Sequence, residues 1–452
     1  MTPARTICVG FLAVIIFGTI LLSLPIANVE GNWEPLIALF TSTSAVCVTG
    51  LSVVDVGQHY TPLGQLILLG LFQIGGLGYM TATTFLLVLV GRRFSLRDRI
   101  ALQHALDIPG IKGGVQLVKS IISTTLLLEL TGVFLLLYAF SRDRSDLPFL
   151  TNVWQAIFHS VSAFNNAGFS LFSSSLVNYA GSPIVNFTIT GLIIVGGIGY
   201  QVIMEVYNWL QIKLRRSNAP ILLSLQFKVA VSSTVFLLAI GTLAFFLTEF
   251  TNNQTLGALS FPKQALAAWF QSVTSRTAGF NTIDTGAMTM TGLFTTIALM
   301  FIGACPGSTG GGIKTTTMFL LLGCTRSALQ GREDILLFNR QVPAVLVFKA
   351  IAVAVGSMFT LVISIVLLSI TEADLITKSG YSFIHILFEA VSAFATVGLS
   401  MGITPEVSDL GRLILVGTMY IGRVGVVVLM AALIAEPEPS LVKYPEETLL
   451  VG

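Results

Sequence analysis

The chain has 452 residues, of which 54% are hydrophobic and only 10% charged, with a formal net charge of +2 and a mean hydropathy of +0.86. Soluble domains carry roughly a quarter charged residues, so the composition excludes an ordinary soluble domain and leaves an integral membrane protein; nothing in the charge points to a nucleic-acid partner. Four cysteines, Cys8, Cys47, Cys305 and Cys324, are scattered without metal-ligand spacing and suggest neither a disulfide framework nor a zinc site.

In chain order, the apolar run Ile7–Ile26 is too long for the core of a secretory signal, and no Ala-x-Ala site follows it, so it is read as the first spanning helix. Because about 20 apolar residues cross the hydrocarbon core as a helix, seven more spans follow: Leu63–Val90, Val115–Phe140, Ile184–Ile212, Leu222–Leu247, Gly292–Cys324, Pro343–Ile370 and Leu413–Ala435. Within each successive pair lies an apolar stretch too short to cross, at Trp33–Val48, Val153–Asn166, Gln264–Thr277 and Phe383–Thr396. Segments of that length read as re-entrant helices.

The short stretches align. They read Phe40 to Gly50, Phe158 to Gly168, Phe270 to Gly279 and Phe388 to Gly398, the third one residue shorter, with terminal glycines 118, 111 and 119 residues apart. The second spans carry a matching signal: Ile74-Gly-Gly-Leu-Gly-Tyr79, Val195-Gly-Gly-Ile-Gly-Tyr200, Ile302-Gly-Ala-Cys-Pro-Gly307 and Ile421-Gly-Arg-Val-Gly425. Glycines that only ease helix packing in a membrane explain the second pattern as well as a functional role does, but they do not explain a four-fold register of loop glycines. The expected fold is an all-α polytopic membrane protein of four tandem helix, pore loop, helix units, with eight spanning helices arranged pseudo-four-fold around one pore. The units fall at 1–91, 115–212, 222–325 and 343–435, with linkers at 92–114, 213–221 and 326–342 and a polar, proline-broken tail at 436–452 that is either disordered or a docking segment.

Basic residues set the orientation. Arg92, Arg93, Arg97, Arg99, Lys112, Lys213, Arg215, Arg216, Arg326, Arg332 and Arg340 fall on one side, whereas 28–62 has Glu30, Glu34 and Asp55 and no Lys or Arg. Both termini and the linkers are then cytoplasmic, and the re-entrant loops enter from outside. Arg142 and Arg144 run against this bias, beside Asp143 and Asp146.

Irregular backbone at membrane depth is tolerated only where protein shields it or water lines it, a condition that four loops around one axis meet together. Each half-helix aims its C-terminal carbonyls inward, with a partial charge of about −0.5, so the centre favours a cation. A glycine after the last turn lets the chain leave the helix and lets carbonyls approach an ion. The predicted filter residues are Val48, Thr49 and Gly50, then Asn166, Ala167 and Gly168, then Thr277, Ala278 and Gly279, and finally Thr396, Val397 and Gly398. None is acidic, which argues against a divalent-cation filter with its carboxylate ring. Thr396-Val397-Gly398 matches half of the Thr-Val-Gly-Tyr-Gly loop of potassium channels, and one glycine per loop predicts a shorter, less strict filter.

The third second-span is broken over 303–317. Pro306 removes a helix hydrogen bond and glycines crowd around it, so the helix opens into an intramembrane loop. The loop is not a phosphate-binding loop, because Ile313 separates the last glycine from Lys314 and no strand flanks it. Gly310, Gly311, Gly312 and Lys314 are expected to gate the passage below the filter. Arg423, in the last span at the position matching Ala304, is costly in a membrane helix unless it faces water or a partner, and is expected to hold that gate. Lys314 could equally reach cytoplasmic water. Thr41, His159, Gln271 and Glu389 share one pore-helix position, where packing is the expected role, with Glu389 also able to shape the outer field.

The four loops, Gly307-Ser-Thr-Gly-Gly-Gly-Ile-Lys314 and Ile421-Gly-Arg-Val-Gly425 resemble the Trk/Ktr/HKT superfamily of potassium transporters, over essentially the whole chain. The length and the ending Glu436-Pro-Glu-Pro-Ser to Gly452 are similar to its Ktr membrane-subunit branch, the KtrB and NtpJ-like proteins. The resemblance implies potassium uptake, often stimulated by sodium at a site it does not locate, by a homodimer in the cell inner membrane on a cytoplasmic KtrA-like ring of nucleotide-binding RCK subunits. Any ATP or ADP acts through that partner, since this chain has no cofactor of its own and no enzyme activity is expected. Gly50 stands where sodium-favouring HKT members resemble this pattern with serine, which argues for potassium, and Cys305-Pro306 departs from the small polar residues of some relatives. The competing expectation is a sodium- or proton-coupled secondary transporter of another small solute or cation, for which Glu129 and Glu205 are the few intramembrane carboxylates; such folds show inverted repeats, whereas these four share one orientation. A polytopic enzyme finds no His, Asp or Cys grouping to support it.

Overall fold

The computed structural model describes residues 2–78, 114–144, 147–214, 223–332, 334–378 and 380–433. The linker residues 92–113, residues 215–221 and the tail therefore lie outside the described residues, as do most of the basic residues used for orientation. Each unit contains an outer helix, a pore helix and an inner helix. The outer helices are Pro3–Leu22, Gly114–Asp143, Leu225–Glu249 and Ala344–Thr371, all long and apolar enough to cross a membrane. Phe17, Phe134, Phe236 and Phe359 stand exposed on them, as expected of helices that turn one face to lipid.

The pore helices are Pro35–Val46, Phe149–Phe164, Phe261–Thr274 and Phe383–Ala395. At 1.5 Å per residue they span only about 18–24 Å, short of the hydrocarbon thickness. The repeated phenylalanine, Phe40, Phe158, Phe270 and Phe388, is fully buried in each. Three of the four are tied to their own outer helix by one hydroxyl: Ser42, Ser160 and Ser272 donate to the carbonyls of Ile15 (2.8 Å), Glu129 (2.6 Å) and Leu238 (3.0 Å). Gly18, Gly132 and Gly241 leave the room this contact needs, since a β-carbon there would lie 2.3–2.4 Å from the serine oxygen. Ala390 takes the serine's place in unit 4.

The inner helices begin as Pro62–Leu77, Pro183–Ile198, Met290–Phe301 and Asp409–Val424; units 1, 2 and 4 stop at the same register, and unit 3 stops four residues earlier, at the start of its broken stretch. Gly78, Gly199 and Gly425 end three of them with φ of 79°, 93° and 89° and extended ψ of 134°, 143° and 134°, a combination open to glycine and closed to other residues. Units 2 and 4 resume as Tyr200–Leu214 and Val426–Leu433 after bends of 103° and 95°; unit 3 resumes only at Thr315–Leu329, beyond the loop. The expected spans Ile184–Ile212 and Leu413–Ala435 are thus bent pairs rather than straight helices. The connection after unit 3 adds a hairpin, Leu336–Leu337 against Arg340–Gln341, turned by Phe338 and Asn339 at positive φ as a two-residue hairpin demands.

The repeated inner-helix glycine has a packing cause. A β-carbon at Gly75, Gly196 or Gly422 would lie 2.1, 1.9 or 1.8 Å from the carbonyl oxygen of Val46, Phe164 or Phe394, at the end of the pore helix of the same unit. In units 3 and 4 the outer helix also holds the start of the inner one: Glu249 accepts from Thr289 N (2.9 Å) and Oγ1 (2.6 Å), and Glu372 from Ser408 N (3.1 Å) and Oγ (2.5 Å). Overpacking of this kind costs about 1–3 kcal/mol. Gly422→Ala is therefore expected to lower the unfolding temperature of the purified protein, whereas Gly417→Ala on the same helix, with open space around it, leaves it unchanged; equal melting of the two variants would refute the packing role.

Candidate ion-conduction site

The four pore helices run into one repeated turn. Val48, Asn166, Thr277 and Thr396 have φ of 57°, 57°, 78° and 52°, and two residues on, Gly50, Gly168, Gly279 and Gly398 have φ of 93°, 70°, 78° and 88°. A left-handed conformation costs a non-glycine residue roughly 1–2 kcal/mol, and the pore helix compensates by capturing the amides of the turn. Val48 N and Thr49 N donate to Ala45 and Ser44, Asn166 N and Ala167 N to Ala163 and Ser162, and Thr396 N and Val397 N to Ala393 and Ser392, while the shorter third turn closes through Ala278 N to Thr274. Gly50 N and Gly398 N add bonds to Ser44 Oγ and Ser392 Oγ, both 3.1 Å.

With the amides turned back onto the helices, the carbonyls of the twelve predicted filter residues are left over. Among the described residues no hydrogen-bond donor is paired with them. Four of these carbonyls show how the turns meet: a β-carbon on Gly50 would lie 2.6 Å from Ala167 O, on Gly168 2.7 Å from Ala278 O, on Gly279 2.5 Å from Val397 O, and on Gly398 2.0 Å from Thr49 O. Unit 1 abuts unit 2, then 3, then 4, then 1. The structure brings all four segments into one closed ring, at the C-terminal ends of four helices whose dipoles place negative partial charge there. Such a ring can replace the water around a cation.

The broken inner helix of unit 3 lies against this ring. A β-carbon on Gly310 would meet Thr277 Oγ1 at 2.4 Å, and Gly311 N donates to Thr396 Oγ1 (3.1 Å). The loop is anchored by its backbone: Gly303 N to Ile313 O (2.9 Å), Cys305 N to Gly197 O (3.0 Å), Thr309 N to Gly196 O (3.2 Å), and Tyr200 N to Gly307 O (3.1 Å). Gly312 has φ of 69°. Lys314 Nζ donates to Gly310 O (2.6 Å), which turns it inward along the loop rather than out to water. The guanidinium of Arg423 donates to Thr309 O in the loop and to Gly75 O in unit 1, a clamp between units 1, 3 and 4. Backbone carbonyls, not a carboxylate, are its partners, which is how a basic group deep in a membrane protein is accommodated.

Two features were not legible at the level of the sequence. At the pore-helix position assigned to packing, His159 Nε2 is hydrogen-bonded to Ser170 Oγ (2.9 Å), and Glu389 accepts from Ser400 Oγ (3.0 Å) and from the Thr404 hydroxyl, so these side chains brace the chain just beyond the filter glycines. The serine two residues past Gly168 and Gly398 is the signal that could have found this. Arg276, directly before Thr277, is 8% exposed and has no ion-pair partner among the described residues; the other loops carry Cys47, Asn165 and Ala395 there. Glu205, one of the two candidate coupling carboxylates, accepts from Ser224 N (3.1 Å) and Oγ (2.5 Å) and so is occupied as a cap.

Gly50→Ser places a β-carbon at φ of 93° against the Ala167 carbonyl. A left-handed penalty of about 1–2 kcal/mol corresponds to roughly tenfold in an equilibrium, so relative uptake of potassium over sodium is expected to fall about tenfold. Unchanged relative uptake of the two ions would sink the assignment of the ring as the selecting element.

The chain matches the family model described as "TrkH: Cation transport protein" over residues 6–444. It is 41% identical to the Ktr system potassium uptake protein B of Vibrio alginolyticus (99% of this chain, 94% of the relative) and 39% identical to the protein of the same name in Bacillus subtilis (100% and 97%). It is 35% identical to the potassium/sodium uptake protein NtpJ of Enterococcus hirae (100% and 98%). In architecture it resembles the crystal structure of the potassium transporter TrkH from Vibrio parahaemolyticus, with a TM-score of 0.71 at 20% identity, covering 94% of this chain and 84% of that one. The chain is a multi-pass helical membrane protein and belongs to the TrkH family of cation transport proteins.

Proposed function

We propose that the chain conducts potassium into the cell across the plasma membrane, with selection at the ring of Val48-Thr49-Gly50, Asn166-Ala167-Gly168, Thr277-Ala278-Gly279 and Thr396-Val397-Gly398. The observation that carries this reading is the closed circuit of glycine against neighbouring carbonyl, with carbonyls that have no protein donor among the described residues. A hard, monovalent cation that sheds water onto neutral oxygens is the ligand such a ring suits. The names of the relatives, potassium uptake proteins and a potassium/sodium uptake protein, support the choice of ion.

In this reading the loop at Gly310, Gly311 and Gly312 is the gate, and Lys314 and Arg423 hold it closed through the carbonyls of Gly310, Thr309 and Gly75. Movement of Arg423 releases the loop from units 1 and 4 together. The control of the gate belongs to a cytoplasmic RCK-type, KtrA-like ring that carries the nucleotide, consistent with relatives named as parts of a Ktr system. The membrane subunit is a homodimer in the cell inner membrane with both termini cytoplasmic, and uptake depends on sodium.

Expressed in a host lacking potassium uptake, the chain is expected to restore growth at low potassium, more strongly with sodium and with a candidate RCK subunit. No restoration under any of these four combinations, with the protein present in the membrane, would overturn the reading. Deleting Gly310–Gly312 or replacing Arg423 by alanine is expected to raise basal flux several-fold; flux unaltered or lowered at normal expression would count against the gate.

A further inference from the structure

The junction between units 1 and 2 holds a buried carboxylate that the conduction path does not use. Glu129, midway along the unit 2 outer helix, is 4% exposed and has no ion-pair partner among the described residues. It is in hydrogen-bonding contact with Gln73 and with the wholly buried Asn165, the residue that caps the second pore helix and precedes Asn166. Asn165 Nδ2 faces three acceptors: Gln73 Oε1 on the unit 1 inner helix (2.6 Å), Val161 O (2.9 Å) and Glu129 Oε1 (3.2 Å). An amide nitrogen has two hydrogens. Val161 O also accepts the helix bond from Asn165 N (3.1 Å), so the two hydrogens can serve Gln73 and Glu129, but Asn165 Oδ1, itself buried, has no donor.

The internal repeat shows that this arrangement is specific to one junction. The serine bonds from the pore helices align Glu129 with Leu238 and with Ile15; the inner-helix and loop registers align Gln73 with Ile194 and Tyr420, and Asn165 with Arg276 and Cys47. Between units 2 and 3 the same place is a small cavity, lined by Ile194, Gly197, Thr234, Leu238 and Arg276. The fold thus supplies a pocket at this depth, and in the first junction that pocket is filled with oxygens.

Buried charges are paired or coordinate metals, and leaving one carboxylate alone in the membrane interior costs several kcal/mol. We propose that the side-chain oxygens of Glu129, Gln73 and Asn165 form a binding site for a small alkali cation, sodium in the cell, separate from the ring of filter glycines. One carboxylate balances one positive charge, so a divalent ion is disfavoured. The ion neutralises the buried carboxylate, meets the unpartnered Asn165 Oδ1 and lies by the negative end of the second pore helix. Because Asn165 carries the second filter segment, occupancy of the site supports that segment's turn, which links a second cation to conduction. That link rests on the potassium reading above, whereas the binding itself does not.

The test uses the full-length purified protein with potassium held constant at a saturating concentration, and sodium chloride exchanged against N-methyl-D-glucamine chloride. Binding of radioactive sodium and the unfolding temperature are read together. The wild type is expected to bind about one sodium per chain that potassium does not displace, with a saturable rise in unfolding temperature. Glu129→Gln is expected to abolish both, and Gln73→Leu, which keeps the charge, to weaken binding by about tenfold or more. In a separate potassium titration without sodium, potassium-dependent stabilisation should persist in both variants and be weakened in Gly50→Ser, so failure of this site and failure of the filter reading are distinguishable. If Glu129→Gln does not fold, Gln73→Leu decides. Sodium binding absent from the wild type, sodium binding equal in the variants, or stabilisation by acid alone with sodium inert would each overturn the proposal, the last by assigning the site to a proton.

Discussion

The structure depends on four contacts in which a glycine α-carbon of one unit lies against a backbone carbonyl of the next. Gly50, Gly168, Gly279 and Gly398 each sit where any β-carbon would strike that oxygen, and each also needs a positive φ. Steric access and backbone conformation thus demand the same residue at the same place. The contacts close a circle only if all four pore helices stop at one depth, and the serine and glycine pairs that seat those helices on the outer and inner helices hold them there. Unpaired carbonyls at membrane depth are costly unless water or an ion meets them, so the geometry that closes the ring also creates its demand for a cation.

Four-fold symmetry holds for the backbone and fails for the side chains. The residue before each filter segment is Cys47, Asn165, Arg276 or Ala395, and the inner-helix position beneath is Gly76, Gly197, Ala304 or Arg423. Among the described residues only unit 3 opens its inner helix into a loop that touches Thr277 and Thr396. A symmetric ring suits an ion on the axis; in the proposed function the asymmetric surround provides the gate in one unit and the second cation site at another junction. Arg423 links the two levels, because its guanidinium reaches the loop and the unit 1 helix at once.

Much of this was legible along the chain because it repeats. The loop glycines, the buried phenylalanine and the inner-helix glycines recur at fixed distances, and Pro306 among glycines marks the third break. The bends at Gly199 and Gly425 were not legible, since repeated glycines in a membrane helix fit close helix packing as well as they fit a stop. The left-handed residues Val48, Asn166, Thr277 and Thr396 share no side-chain chemistry, so nothing in their identity announces their shared conformation. Arg276 stood within the aligned loops, but its isolation is a property of its neighbours.

The sequence by itself determined the membrane class, the four short stretches that end in glycine and the break in the third inner helix, because apolar length and repeated register are properties of order along a chain. Only the tertiary structure decided which carbonyl meets which glycine, that the circuit of units closes, and that Arg423 and Lys314 take backbone oxygens as partners. It alone brought Gln73 and Glu129, which stand 92 and 36 residues from Asn165 in the chain, into one cluster of acceptors. Helix register fixes what each unit is; how charge and oxygen are shared between units is fixed by packing, which no spacing within one unit encodes.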